Sequence, residues 1–500
     1  MLLPLAAASP IYQYGDMQPQ VTTSAGVVVG KVAQLQFAPT KTVHQYLGIP
    51  FALSPPDRFA PPTGLEPWTT PLNATEFKPA YDNLKSIFND TPLAESEDCL
   101  YLNVFTPSTP APSAGRPVMF WIHGGSLQFG SASLPLYDGS AIAANQNVIM
   151  VSTNYRTNLF GFPASPEIPT DRQNLGFLDQ RKALQWVHQN IRAFGGDPSR
   201  ITIFGESSGG YSVKQLIANP PEPLPFQAAI IQSQALGAEG SGKESWLKLV
   251  EELGCNSTTS QLQCVKSAPL DRIIPLLNRQ ALVFPPAIDN KTNIGNFGDA
   301  VIQYTAAPVP VLIGTNANEG TALTSVMPPS QRMIEYIFRN DTRSQKLARA
   351  AYPVNIPENQ LKANILTDHE YTCTTSAIAD TLANASYKVW RYYFTAAFPN
   401  TQPFPGAGAW HTSEIGLIFG TYPRDNRTTV QQSLLSRYMQ RTWADFATDP
   451  EVGPGWAPVS GAEEDLQVIG SGESWGEPIA SEVTDQICSV YSSAIYAQGF

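Results

Sequence analysis

Short apolar runs separated by polar, turn-rich stretches recur along this chain. Val118-Met119-Phe120-Trp121-Ile122, Val148-Ile149-Met150-Val151, Ile201-Thr202-Ile203-Phe204, Ala229-Ile230-Ile231 and Val309-Pro310-Val311-Leu312-Ile313 are nearly continuous in apolar residues rather than alternating. That pattern predicts strands buried on both faces, as in a largely parallel sheet with helices on each side. Between Gly176 and Phe194 the period changes. Leu184, Val187, Ile191 and Phe194 step by three and four, which predicts an amphipathic helix just ahead of the 201–204 strand. The expected class is α/β, with a sheet covered on both faces. No internal repeat is evident, and no apolar run is long enough to span a bilayer.

One of these strands leads into the most informative local motif. Gly205-Glu206-Ser207-Ser208-Gly209 follows Ile201–Phe204 and precedes a helix-like stretch. A serine between glycines at a sharp strand-to-helix turn is a nucleophile elbow, in which small neighbours avoid collision with the adjoining backbone. Chance produces Gly-x-Ser-x-Gly in about one chain in five or six of this length, so its partners decide. A base and an acid should follow in the order Ser, Asp/Glu, His. Of the five histidines, His44, His123, His188, His369 and His411, two lie downstream. His411 precedes an apolar run ending at Phe419-Gly420 and is the candidate base; His369, between Asp368 and Glu370, reads as solvated. The strand-like 309–313 run enters the turn-rich Gly314-Thr315-Asn316-Ala317-Asn318-Glu319-Gly320, where Glu319 is a candidate acid.

Further motifs extend the pattern. Arg58-Phe59, Glu97-Asp98-Cys99-Leu100-Tyr101-Leu102-Asn103-Val104, His123-Gly124-Gly125, Asn154-Tyr155-Arg156, Asn174-Leu175-Gly176-Phe177-Leu178-Asp179-Gln180-Arg181 and Phe194-Gly195-Gly196-Asp197-Pro198 precede the elbow. Asn318-Glu319-Gly320 and His411-Thr412-Ser413-Glu414-Ile415 follow it. Through these motifs most of the chain resembles the type-B carboxylesterase and lipase family, which includes cholinesterases and secreted fungal esterases. The resemblance implies an α/β-hydrolase fold, a large, mixed, mostly parallel central sheet flanked by helices, forming a single domain over residues 1–500 with insertions shaping a gorge. It implies Ser207 as nucleophile, Glu319 as acid and His411 as base, working through an acyl-enzyme. Oxyanion donors are expected at Gly125, Ser126 and Ser208. The family usually carries a third glycine where Ser126 stands, so its Cβ restricts the backbone and its hydroxymethyl group either crowds the site or adds a donor. Around these residues the resemblance places Gly124, Glu206 at the site floor and Ser233 near the acid, with Arg58–Glu97 and Arg156–Asp179 as buried structural ion pairs.

The same resemblance pairs Cys255 with Cys264 and Cys373 with Cys488. Cys99 lacks the family's upstream partner, with Tyr81 in that place, and is expected as a buried free thiol. The segment from Tyr81 to Glu97 is short for a lipase lid, and Phe88-Asn89-Asp90-Thr91-Pro92 lacks the tryptophan that receives quaternary ammonium in cholinesterases. Hydrolysis of small to medium uncharged esters is therefore favoured over lipase or cholinesterase activity. Acyl transfer, lactonisation or elimination on a specialised metabolite would use the same triad; a non-catalytic binding module would ordinarily lose it.

Composition narrows the partners. A net charge of −11, with 15% charged and 42% hydrophobic residues, argues against nucleic acid and for a large core. The histidines are scattered, so no metal or cofactor is expected. Acceptor sequons at Asn73, Asn256, Asn290, Asn340, Asn384 and Asn426, together with the disulfides, suggest a secreted glycoprotein. A seventh, Asn89, has Pro92 behind its threonine. Residues 1–10 resemble a clipped signal core or a disordered terminus. The expected partner is a small-molecule ester, and the expected assembly a monomer or homodimer. With an ordinary histidine as base, activity would rise through about pH 6–7.

Overall fold

The computed structural model describes residues 18–35, 38–80, 95–235, 241–461, 464–472 and 475–499. The expectations placed on residues 1–10, on Tyr81 and residues 81–94 of the flap, and on Phe88–Pro92 lie outside the described residues.

The strands are β1 (Gln20–Thr23), β2 (Gly26–Val29), β3 (Lys31–Leu35), β4 (Ala38–Pro50), β5 (Leu72–Asn73), β6 (Tyr101–Pro107) and β7 (Arg116–Ile122). They continue with β8 (Ile149–Thr153), β9 (Gly196–Glu206), β10 (Ala228–Gln232), β11 (Val311–Asn316), β12 (Val389–Phe394), β13 (Leu466–Ile469) and β14 (Gly476–Ile479). Among the described residues eleven strands form one sheet in the order β3-β4-β6-β8-β7-β9-β10-β11-β12-β13-β14, while β1, β2 and β5 form a small separate one. From β8 across to β13 all neighbours run parallel, and antiparallel pairs close both ends.

Each continuous apolar run falls at one of the central strands β7 to β11. All of β7 is buried, with Val118, Phe120 and Ile122 in the core on one face of the sheet and Met119 and Trp121 in the core on the other. A strand covered on both sides needs apolar residues at successive positions, each stabilising the fold by about 1.5–3 kcal/mol when fully buried. β11 starts only at Val311. Pro310 has no N–H for the ladder, yet its carbonyl accepts from Ala229 at 3.1 Å.

The helix expected before β9 is present with a different ending. It is α-helical over Leu175–Asn190 and tightens to a 3-10 turn over Ile191–Phe194, stopped by Gly195 at φ 85°. Leu184, Val187, Ile191 and Phe194 are all buried. A third core, containing Met333, Ile337, Leu361, Ile365, Tyr491 and Ile495, joins the helices that follow β11 to the C-terminal helix Cys488–Gln498. The Cys373–Cys488 disulfide ties these together, and Cys255–Cys264 closes a short loop.

Arg156 pairs with Asp179 at 2.7 Å, almost out of solvent. Arg58 donates through Nε to Glu97 at 2.7 Å, but the two side chains are 13% and 25% exposed. That pair therefore sits at the protein's edge rather than in its interior, and Arg58 also caps the carbonyls of Lys266 (2.9 Å) and Ala268 (2.7 Å). Cys99 is buried and free. Among the described residues no helix is long and apolar enough to cross a membrane.

Candidate active site

β9 ends at Glu206 and the next helix starts at Ser208, which leaves Ser207 to make the whole turn at φ 58° and ψ −125°. This conformation is strained for a residue with a Cβ and persists only if its surroundings enforce it. They do so by hydrogen bonds and by close packing. The Ser207 N–H donates to the Gln232 carbonyl at 3.0 Å, and its own carbonyl accepts from Tyr211 at 2.9 Å and Ala235 at 3.2 Å. A Cβ on Gly209 would overlap the Ile122 carbonyl, and one on Gly205 would overlap the backbone of Gly209. Glycine at both places lets the helix approach the sheet.

Glu319 opens a 3-10 turn just beyond β11. Its Oε1 accepts from the Asn316 N–H at 2.7 Å, and its Oε2 lies 2.6 Å from Nδ1 of His411. The two side chains are separated by 92 residues, and their loops are laced together. Asn318 N–H donates to the Ala409 carbonyl at 3.0 Å, Ala409 N–H returns to Asn318 Oδ1 at 3.0 Å, and Asn316 Nδ2 donates to the Trp410 carbonyl at 3.0 Å. On the other side of the ring, Nε2 lies 3.2 Å from Glu206 Oε1. Among the described residues no hydrogen bond joins Ser207 Oγ to His411; such bonds commonly tighten only around substrate.

The electrostatics favour a protonated resting base. Burial lowers the pKa of His411, but Glu206, Glu319 and Glu414 outweigh it and raise the value to about 9. Burial raises Glu206 to about 8. His411 works against that rise, which comes from burial first and then from the nearby Glu414 and Glu319. Glu414, also raised by burial to about 7, is held by Gln232 Nε2 at 3.1 Å and Asn316 Nδ2 at 2.6 Å.

The loop after β7 carries Gly125 and Ser126, two of the three positions where oxyanion donors are expected. Gly125 has φ 116° and Ser126 φ 55°. The N–H groups of Gly125, Ser126 and Ser208 donate to no other group among the described residues. Gly124 is fixed from behind by His123, whose Nδ1 lies 2.8 Å from its carbonyl. The His123 ring stacks on Tyr155 at 4.4 Å, and burial pushes its pKa down to about 4, so it stays neutral.

Ser233, expected near the acid, holds a left-handed φ of 42° and donates its N–H to the Gly314 carbonyl at 2.8 Å, and its hydroxyl is buried without a partner among the described residues. One expectation changes. His369 is not solvated. It is buried within a π-helical turn, Thr367–Cys373, and its pKa is lowered by burial to about 4. Charged neighbours in sequence do not expose a residue whose own face of the helix turns inward. The same turn brings Thr367 Oγ1 to accept from the Gly320 N–H at 3.0 Å and sets the Tyr371 ring 5.0 Å from that of His411. Thr367, Tyr371, Asn316 and Glu414 are site neighbours that sequence reasoning missed. Glu414, three positions after His411, and Asn316, three before Glu319, carried a local signal.

The sheet order, with a serine at the turn leaving β9, defines an α/β-hydrolase. A profile of the carboxylesterase family matches residues 17–475, and the chain belongs to that family. It is similar to mouse (Mus musculus) carboxylesterase 1E, with 30% identity over 94% of this chain and 93% of the relative. It is 36% identical to the para-nitrobenzyl esterase of Bacillus subtilis, covering 85% and 89%, and 32% identical to the acetylcholinesterase of Bungarus fasciatus, covering 90% and 82%. The protein is accordingly an ester-hydrolysing enzyme.

Proposed function

We propose that the chain cleaves small to medium uncharged carboxylic esters through an acyl-enzyme on Ser207. The contact that carries this reading is the 2.6 Å approach of Glu319 to His411 Nδ1, which leaves Nε2 facing the elbow side of the ring. Neutral His411 takes the Ser207 proton as Oγ attacks the ester carbonyl, then gives it to the departing alcohol. Water repeats the sequence on the acyl-enzyme. Glu319 fixes the tautomer and stabilises the imidazolium. Gly125, Ser126 and Ser208 receive the oxyanion, each such donor contributing about 2.7–4 kcal/mol where similar sites have been tested. Secretion as a glycoprotein is part of the same proposal, supported by two disulfides and by exposure of Asn73, Asn256, Asn290, Asn340, Asn384 and Asn426.

Pre-steady-state hydrolysis of a short-chain p-nitrophenyl ester, followed by intact mass, tests the mechanism. The wild type should give a burst and an acyl adduct, both absent from Ser207→Ala. A folded wild type that turns over the ester with neither, under conditions where deacylation is slow, would overturn the acyl-enzyme reading.

A further inference from the structure

The loop that offers two of the three oxyanion donors is bent in a way its own side chains resist. Ser126 and Leu127 have φ of 55° and 58°, consecutive left-handed residues of which neither is glycine. Three ties hold them. Asn158 N–H donates to the Leu127 carbonyl at 2.7 Å. The Gln128 side chain exchanges two bonds with the Phe284 backbone, each at 3.0 Å. The third tie comes from the elbow itself, because the Leu127 N–H donates to Ser208 Oγ at 3.0 Å.

Ser208 is fully buried, and its surroundings fix it from several sides. Its carbonyl accepts from Ser212 Oγ at 2.9 Å, and that hydroxyl in turn accepts from Gln180 Nε2 at 3.0 Å. Its own hydroxyl also lies beside the Tyr155 phenol, which donates to the His123 carbonyl at 2.8 Å. One residue therefore carries an oxyanion N–H on its backbone and grips the loop carrying the other donors with its side chain.

We propose that the Ser208 hydroxyl is a positioning group that sets the spacing between the elbow donor and the Gly125 and Ser126 donors. This rests on the acyl-enzyme reading above. The hydroxyl touches no reacting atom. Losing it orphans the buried Leu127 N–H and lets the Ser126-Leu127 turn relax toward unstrained φ, widening the oxyanion site. Because those donors bind the transition state more strongly than the ester, the loss falls on kcat rather than KM.

The experiment compares wild type, Ser208→Ala, Ser126→Gly and the double variant on a p-nitrophenyl ester, with melting temperatures and binding of a trifluoromethyl ketone as a tetrahedral analogue. Ser208→Ala should lower kcat about 10- to 100-fold with KM within about threefold, and weaken the ketone in proportion to kcat. In the Ser126→Gly background, where the left-handed turn meets less resistance, the same change should cost at least threefold less. A Ser208→Ala variant with unchanged kcat, a loss confined to KM, or equal losses in both backgrounds would overturn the clamp. Should Ser208→Ala not fold, Ser208→Cys, a weaker acceptor, replaces it: a kcat loss of threefold or more is expected, and an unchanged kcat overturns the proposal. A wild type lacking burst and adduct removes the acyl-enzyme reading itself. With those present, the Ser208 variants judge only the clamp.

Discussion

The two halves of the candidate site are built on different principles. On the elbow side, Gly205 to Gly209 lie within five consecutive residues, and the turn is enforced by contacts of backbone with backbone, such as Gly209 against the Ile122 carbonyl. On the acid–base side, Glu319 and His411 meet across 92 residues, and side chains from further segments hold them: Asn316 and Asn318 lace the loops, Thr367 grips the Gly320 N–H, and Tyr371 lies against the imidazole. At Gly205 and Gly209 an added Cβ would meet backbone atoms rather than side chains that could turn aside. The acid–base pair depends on charge and orientation, so substitutions there should change chemistry before they change stability.

That contrast can be broken most directly at Glu319. Glu319→Gln keeps the shape but removes the charge and the tautomer control, and kcat/KM should fall by about 10⁴-fold with little change in melting temperature. A loss below tenfold would mean that another carboxylate orients His411. Next in size is Gly209→Ala, where the added methyl drives the helix off β7. It should destabilise the fold by about 3 kcal/mol, read as a lower urea midpoint at constant slope. A midpoint equal to wild type would show that the elbow yields more than its packing implies.

The smallest effect concerns pH. His411 must be neutral to act as base, and its raised pKa means that kcat/KM should climb with rising pH at values above the ordinary 6.5 for histidine. Glu206→Gln removes one carboxylate that holds the proton on the ring, so the rise should move to lower pH by about one unit or more. A pH profile identical in the two proteins would exclude Glu206 as a determinant of the base.

Much of the fold was legible because burial on both faces of a parallel sheet imposes continuous apolar runs. The runs beginning at Val118, Val148, Ile201, Ala229 and Val309 all mark central strands, although Pro310 delays the start of the last one. The helix before β9 was legible in its buried positions but not in its final turn, where Gly195 converts it to 3-10 geometry. His369 was misjudged because its flanking charges said nothing about the direction its own side chain takes inside a π-helical turn.

By itself the sequence determined where the chain could turn sharply, which residues could serve as nucleophile, acid and base, and which runs had to be covered on both sides. Those are properties of single residues and near neighbours. Tertiary structure alone decided that Thr367 and Tyr371 surround the acid–base pair, that His411 faces three carboxylates, and that the Ser208 hydroxyl grips the loop at Leu127. These depend on distances between segments far apart in the chain and on burial, which strengthens electrostatic interactions and makes an unpaired polar group costly, so no local pattern could encode them.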